Sequence, residues 1–129
     1  MKSIVIAAAL AILAPSASAQ EVITSYAAWL SPNDMVNSRG VRLTDIAAIL
    51  QQDRANYHRF GRRDEGDGTD GLFASRDMRS RIPDLYARGP GAPAYILDDI
   101  RSGRGHYVWV RVIGRGGRPD HIEVHEGAG

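Results

Sequence analysis

The sequence contains no cysteine, and its only lysine is Lys2. Without cysteine the chain has no disulfide, no thiol nucleophile and no thiolate metal ligand, so its stability has to come from packing. Beyond Lys2, the chain also has no excess of positive or negative charge. Lysine and arginine together number 16, one of them Lys2, which leaves 15 arginines against 15 aspartates and glutamates. A general nucleic-acid or anionic-membrane binder shows a basic excess, so we expect neither partner.

Long hydrophobic runs are missing beyond the N-terminus. Lys2 precedes an apolar run from Ile4 to Ala14, and Ala17-Ser18-Ala19 ends the segment. These are the parts of a cleavable secretory signal, and a run of about ten residues is too short to cross a bilayer core of about 30 Å. We therefore predict a signal peptide over residues 1–19 and a periplasmic or secreted mature chain with no membrane attachment after cleavage. Residues 20–129 then have the length of a single small domain.

The first half of the mature chain predicts a strand and a long helix. Val22–Leu30 alternates loosely between its two faces, which favours a strand; a helix over residues 25–30 is the alternative, because Ala-Ala-Trp-Leu has no β-branched residue. The helix spans Asp45–Phe60, with Thr44 as its cap and Gly61 as its stop. Its apolar residues recur at intervals of three and four, and we expect this face to cover the sheet.

The second half predicts a short helix and a C-terminal hairpin. The helix covers Arg76–Ile82, and Pro83 either ends it or opens a further turn. Residues 95–97 form an apolar run that fits a strand or one helical turn. From His106 to Ile113 and from His121 to Glu126, apolar and polar residues alternate, which predicts two strands with one apolar face each.

The register of this hairpin follows from which residues share a face. A three-residue tip at Gly116-Gly117-Arg118 makes the numbers of paired residues add up to 234, and this sets Arg111 opposite Glu123 and Trp109 opposite His125. A sum of 232 is the alternative. Together the elements predict a small α+β domain, with one main helix and a short helix packed on a small antiparallel sheet that contains the C-terminal hairpin.

An acidic, glycine-rich segment follows the main helix; we call residues 64–71 the acidic loop. Its four carboxylates suggest a calcium site, but no alignment of this segment with an EF-hand loop puts ligand residues at the required positions. With Gly68 at the sixth position, Arg63 occupies the first, and with Gly71 there, Gly66 does. We therefore expect a solvated, flexible connection.

The main helix and the acidic loop together hold the densest set of ionisable residues. A carboxylate at Asp53 interrupts the apolar stripe of the helix and needs a partner, for which an ion pair with an arginine suffices. Basic side chains at the end of the helix also complement its dipole. The functional hypothesis is an anion pocket in which arginines clamp a carboxylate or phosphate and an aspartate orients them. Its residues are Asp53, His58, Arg59, Arg62 and Asp64.

A metal hypothesis applies to the last strand, where His121, Glu123 and His125 share one face. These are ligand types of zinc and non-haem iron. Residues two apart on a strand are about 6.8 Å apart at the α-carbon, so a single ion would not draw in all three. A pair such as Glu123 with His125 would need a third ligand from elsewhere. The other interpretation is a solvent-facing polar stripe with an Arg111–Glu123 pair.

The central part of the chain resembles a group of uncharacterised short exported proteins of alphaproteobacteria. The resemblance rests on Asn37-Ser38-Arg39-Gly40-Val41-Arg42-Leu43, on the run Asp53-Arg54-Ala55-Asn56-Tyr57-His58-Arg59-Phe60-Gly61-Arg62-Arg63-Asp64, and on Phe73 ahead of a short helix. It covers roughly residues 30–88. It implies secretion and a compact domain and carries no activity with it.

No motif in the sequence marks an enzyme. No serine or threonine lies in a recognisable nucleophile motif, and no phosphate loop or dinucleotide fingerprint appears, so no cofactor is predicted. We expect a non-catalytic binding or accessory protein whose partner is a small anion or an envelope protein. The alternative is a small hydrolase or metal-dependent enzyme that uses His58, His121 or His125 with Asp53 or Glu123.

Overall fold

The computed structural model describes residues 2–9, 11 and 19–128. Four helices pack with a three-stranded antiparallel sheet of order β1-β2-β3, which confirms the α+β prediction. In chain order the elements are β1 (Glu21–Leu30), a 3₁₀ helix (Pro32–Met35), α1 (Ile46–His58), α2 (Arg76–Ser80), α3 (Ile82–Arg88), α4 (Ala94–Arg101), β2 (His106–Arg115) and β3 (Arg118–Glu126).

The predicted export signal falls partly on residues that the structure leaves undescribed. Residues 12–18, with most of the predicted cleavage site, lie outside the described residues. Within the described part, no helix is both long and apolar enough to cross a membrane. The strand prediction for Val22–Leu30 is confirmed, since β1 covers this segment and pairs with β2, and the helical alternative is wrong.

The register of the hairpin is the predicted one. Trp109 pairs with His125 and Arg111 with Glu123. The predicted three-residue tip is wrong. Gly116 and Gly117 form a two-residue turn with φ angles of 55° and 75°, which glycine adopts without steric cost, and a register shift between Ile113 and Gly114 absorbs the extra residue.

The core lies between the valine face of the sheet and the helices. Val108, Val110 and Val112 are fully buried there, whereas Trp109 on the opposite face remains 40% exposed. The main helix does not cover this face alone. α1 packs on β1 and α3, while α3 packs on β3 and α4 on β2. Burial on one face only is what strict alternation along a strand requires.

Several helix boundaries differ from the sequence prediction. Asp45, not Thr44, caps α1, and its carboxylate accepts a hydrogen bond from the backbone N–H of Ala47 at 3.3 Å. The short helix ends at Ser80, and Pro83 lies in the first turn of α3, where its missing N–H costs no helical bond. Residues 95–97 belong to α4, so the strand interpretation of this run is wrong.

Candidate functional site

Arg54 is the most deeply buried ionisable side chain of α1. The residue has no exposed surface, and its guanidinium lies between two tyrosine rings, 4.0 Å from the centroid of Tyr26 and 4.6 Å from that of Tyr57. Nε donates to Asp53 Oδ2 at 2.8 Å, and Nη1 donates to Asp70 Oδ1 at 3.0 Å. Two carboxylates therefore compensate one buried cation, which is what a charge removed from water needs.

Asp70 connects this cluster to the acidic loop. Its Oδ1 also lies 2.8 Å from His58 Nε2, and its Oδ2 accepts a hydrogen bond from the backbone N–H of Phe73. Burial alone would raise the pKa of Asp70, but the hydrogen bonds from His58, Phe73 and Arg54 outweigh burial and hold the pKa below its usual value. Asp70 is therefore a charged anchor inside the protein.

The acidic loop is bound to the fold along its length, so the prediction of a solvated, flexible connection is wrong. Asp67 accepts from the backbone N–H of Trp29 at 2.9 Å through Oδ1, and from that of Asp64 at 2.8 Å through Oδ2. The backbone of Gly68 donates to the carbonyl of Ala27 at 2.7 Å and accepts from Arg54 Nη1 at 2.9 Å. The carboxylates of this loop satisfy backbone and guanidinium donors of the protein itself.

A cleft of about 600 Å³ lies where the 3₁₀ helix, α1 and the residues before the acidic loop meet. Its lining is mainly polar and combines amides, two arginines, two aspartates and one aromatic ring. The residues that matter for its chemistry are Asp34, Gln52, Asn56, Phe60, Arg62, Arg63 and Asp64. This volume is in the range of small-molecule sites.

The arginines at the end of α1 rest on aromatic rings. The Cζ of Arg62 lies 5.9 Å from the centroid of Phe60, and that of Arg63 lies 4.1 Å from the centroid of Tyr57. Arg59 stacks on Phe60 as well, at 4.8 Å. All three arginines are exposed, and within the described residues none forms an ion pair. Stacking orients the plane of a guanidinium and leaves its N–H edge free to bind a ligand.

The buried side of the cleft is a chain of hydrogen bonds around Asp34. Gln52 Nε2 donates to Asn56 Oδ1 at 2.9 Å, and Asn56 Nδ2 donates to Asp34 Oδ1 at 2.9 Å. The other carboxylate oxygen of Asp34 accepts from the backbone N–H of Ser31 at 3.1 Å, and Ser31 Oγ donates to Asp64 Oδ2 at 2.7 Å. Burial raises the pKa of Asp34 to about 6, although the hydrogen bonds from Asn56 and Ser31 oppose this rise.

The five residues of the predicted anion pocket separate into two groups. Arg62 and Asp64 line the cleft, and Arg59 is exposed at the C-cap of α1 beside it. Asp53 and His58 do not line the cleft; they bind Arg54 and Asp70. Neither aspartate orients the arginines as the hypothesis had it, because Asp53 pairs with Arg54 and Asp64 with Ser31.

Sequence reasoning missed Asp34, Asn56 and Arg63 as cleft residues and the central position of Arg54. The signal for Asn56 was its position on the buried face of α1, three residues after Asp53. Asp34 gave a weaker signal: with Ser31 it forms a capping box at the 3₁₀ helix, and Ser-Pro-Asn-Asp also fits an ordinary turn.

The strand with the proposed metal ligands places its side chains within contact distance of one another. Glu123 Oε1 lies 3.0 Å from His125 Nε2, and Glu123 Oε2 lies 3.7 Å from His121 Nε2. His121 Nδ1 also lies 2.9 Å from Asp120 Oδ2. Across residues 2–9, 11 and 19–128, no three histidine, aspartate or glutamate side chains have the geometry to hold a metal ion. The described arrangement is a row of contacts between imidazole and carboxylate groups.

Comparison with protein-family models, with curated proteins and with solved structures finds no match to this chain. Its function therefore has to be argued from the site.

Proposed function

We propose that this chain is an exported, non-catalytic binding or accessory protein that holds a small organic anion in the cleft beside α1. The observation that carries the proposal is the set of exposed, unpaired arginines stacked on Phe60 and Tyr57, two of which, Arg62 and Arg63, line that cleft. A pre-oriented guanidinium fork matches a carboxylate or phosphate in geometry and charge.

The other side of the cleft restricts what the anion carries. Gln52 and Asn56 present amide groups, and Asp34 and Asp64 present carboxylates that already accept hydrogen bonds from the protein. A ligand that fits both sides of the cleft has one anionic group, which faces the arginines, and hydroxyl or amide groups, which face the amides and carboxylates. A polyanion fits less well, because its second charge would face Asp34 and Asp64.

Binding is favoured over catalysis because the residues of the enzyme alternative lie elsewhere. None of the cleft-lining residues is a histidine. His58 binds Asp70 beneath the surface, and His121 and His125 lie on β3 in contact with Glu123. A general base has to reach the proton that it takes, and among the described residues Ser38, the hydroxyl that lines the cleft, forms no hydrogen bond with Asp34 or Asp64.

Thermal shift measurements on the mature protein test this proposal. We expect a monocarboxylate such as gluconate to raise the melting temperature more than phosphate or citrate does, and glucose, the uncharged counterpart of gluconate, to leave it unchanged. The rise should weaken as salt is added, because exposed guanidinium groups are screened.

Two variants locate the effect. In Arg62→Ala with Arg63→Ala the rise should disappear while the unliganded melting temperature stays near that of the parent. Arg76→Ala, a change of an exposed arginine outside the cleft, is the matched control and should respond like the parent. A parent protein that responds to none of the anions, or a double variant that responds fully, would rule out this site.

A further inference from the structure

Three buried polar atoms beneath the cleft have no hydrogen-bond partner among the described residues. They are Tyr26 Oη, Asp53 Oδ1 and Arg54 Nη2. All three residues are at most 2% exposed, so bulk water does not reach them. A buried polar group without a partner destabilises the folded state, and proteins rarely leave three such groups in one place.

These three atoms belong to side chains that contact one another around the guanidinium of Arg54. The guanidinium carbon of Arg54 is 4.0 Å from the ring centroid of Tyr26, and Arg54 Nε is 2.8 Å from Asp53 Oδ2. Nη2 is bonded to that guanidinium carbon, and Oδ1 belongs to that same carboxylate. A water molecule whose hydrogen bonds are about 2.8 Å long bridges atoms up to about 5.6 Å apart.

The hydrogen-bonding character of the atoms selects the ligand. Arg54 Nη2 only donates, Tyr26 Oη donates and accepts, and the Asp53 carboxyl accepts when ionised and donates when protonated. A cation would face the guanidinium of Arg54, and an anion would face the carboxylates of Asp53 and Asp70. A neutral molecule that both donates and accepts matches the set in either protonation state of Asp53.

We infer that Tyr26 Oη, Asp53 Oδ1 and Arg54 Nη2 together bind one internal water molecule. Three hydrogen bonds is the usual number for a buried water. The water joins β1, through Tyr26, to α1, through Asp53 and Arg54, and so completes the network that holds the acidic loop through Asp70.

Removal of the Tyr26 hydroxyl has opposite expected effects depending on whether Oη binds a water molecule. If Tyr26 Oη binds the water, Tyr26→Phe removes a satisfied hydrogen bond and leaves the stacking on Arg54, and the melting temperature should fall by several degrees. If Oη is unpaired, its removal is neutral or stabilising. Tyr57→Phe, in the other ring that stacks on Arg54, is the matched control and should have the smaller effect.

A crystal structure of the mature protein at a resolution that places ordered waters supplies the direct test. We expect a density peak about 2.6–3.2 Å from all three atoms in the parent and its loss or displacement in Tyr26→Phe. A direct hydrogen bond between Arg54 Nη2 and Asp53 Oδ1 without a peak would overturn the inference, as would an unchanged or raised melting temperature in Tyr26→Phe.

Discussion

The ring of Tyr57 contacts two arginines with opposite environments. Arg54 lies 4.6 Å from its centroid and is fully buried, whereas Arg63 lies 4.1 Å from it and is exposed. Arg54 binds two carboxylates and a backbone carbonyl, but Arg63 has no ion pair among the described residues. The stacking is similar, so the number of nearby carboxylates distinguishes the arginine that stabilises the core from the one that is free to bind a ligand.

Two buried aspartates show the same contrast between a side chain with cationic partners and one without them. Asp70, which is bound to Arg54 and His58, has a pKa below its usual value, whereas Asp34, which is bound to an amide and a backbone N–H, has a pKa of about 6. Both side chains are buried. A cation alone does not keep a buried carboxyl ionised at little cost: burial raises the pKa of Asp53 well above its usual value although Arg54 lies beside it, whereas Asp70 also has hydrogen bonds from His58 and Phe73.

The strongest test of this comparison is the exchange of each arginine for methionine. Arg54→Met leaves Asp53 and Asp70 buried without their cation, and removing one partner of a buried pair costs about 3–5 kcal/mol. Arg63→Met keeps an apolar contact with Tyr57 and should change the free energy of unfolding by about 0.5 kcal/mol or less. Denaturant unfolding at pH 7 measures both, and similar losses would contradict the comparison.

A second prediction concerns Asp34 and pH. Its folded pKa of about 6 exceeds the ordinary value of 3.8, so between these pH values the native protein binds more protons than the unfolded chain and its stability falls as pH rises. The difference corresponds to roughly 3 kcal/mol. In Asp34→Asn the decline of stability between pH 4 and 7 should be smaller by an amount of this order.

The control for this prediction is Asp77→Asn, because Asp77 is exposed on α2. Its pH profile should follow that of the parent. Unfolding curves of the three proteins at pH 4, 5, 6 and 7 decide the matter. An Asp34→Asn profile as steep as that of the parent would assign the pH dependence to other carboxyl groups.

The smallest effect is expected at an ion-pair cluster near the surface. His106 Nδ1 lies 2.7 Å from Asp99 Oδ2 and Nε2 lies 2.7 Å from Glu126 Oε2, with Arg104 and Tyr95 as the neighbouring charged and titratable groups. Burial would lower the pKa of His106, but the two carboxylates outweigh burial and raise it above 6.5. The hydrogen bonds from His106 lower the pKa values of Asp99 and Glu126.

The signs of these shifts define a pH window. The contribution of the imidazolium is complete below pH 6.5 and is lost as pH rises through its raised pKa, and the contribution of the carboxylates is complete above pH 4.5 and is lost in acid. His106→Gln should therefore lower the melting temperature most between pH 4.5 and 6.5, and less as pH rises through the raised pKa of His106. A pH-independent difference would mean that the cluster stabilises by packing.

The sequence alone predicts those parts of the fold in which apolar and polar residues alternate with a fixed period. The alternation of apolar and polar residues over β2 and β3 predicts that Trp109 pairs with His125, and the structure has this pair. A shift of the strand pairing by one residue would turn the valines away from the core. The same reasoning failed for residues 95–97. A three-residue apolar run has no period that distinguishes a helical turn from a strand.

The candidate site was less accessible from sequence because its contacts join distant segments. Arg54 follows Asp53 directly, yet it is bound equally to Asp70, 16 residues later. Arginine is ordinarily a surface residue, and nothing local indicates which of the 15 arginines are buried. Asp34 meets Asn56 across 22 residues. Tertiary packing alone determines such pairs.

The attachment of the acidic loop to β1 also bears on how the sheet behaves at high protein concentration. β1 is an edge strand, and an edge with free N–H and C=O groups invites pairing with a strand of another molecule. Here Gly68 binds the carbonyl of Ala27 and Asp67 binds the N–H of Trp29. A Cβ on Gly68 would lie 3.2 Å from the nitrogen of Ala27. The loop thus occupies the end of this edge at Ala27 and Trp29, and it places a carboxylate where an incoming strand would need to pair.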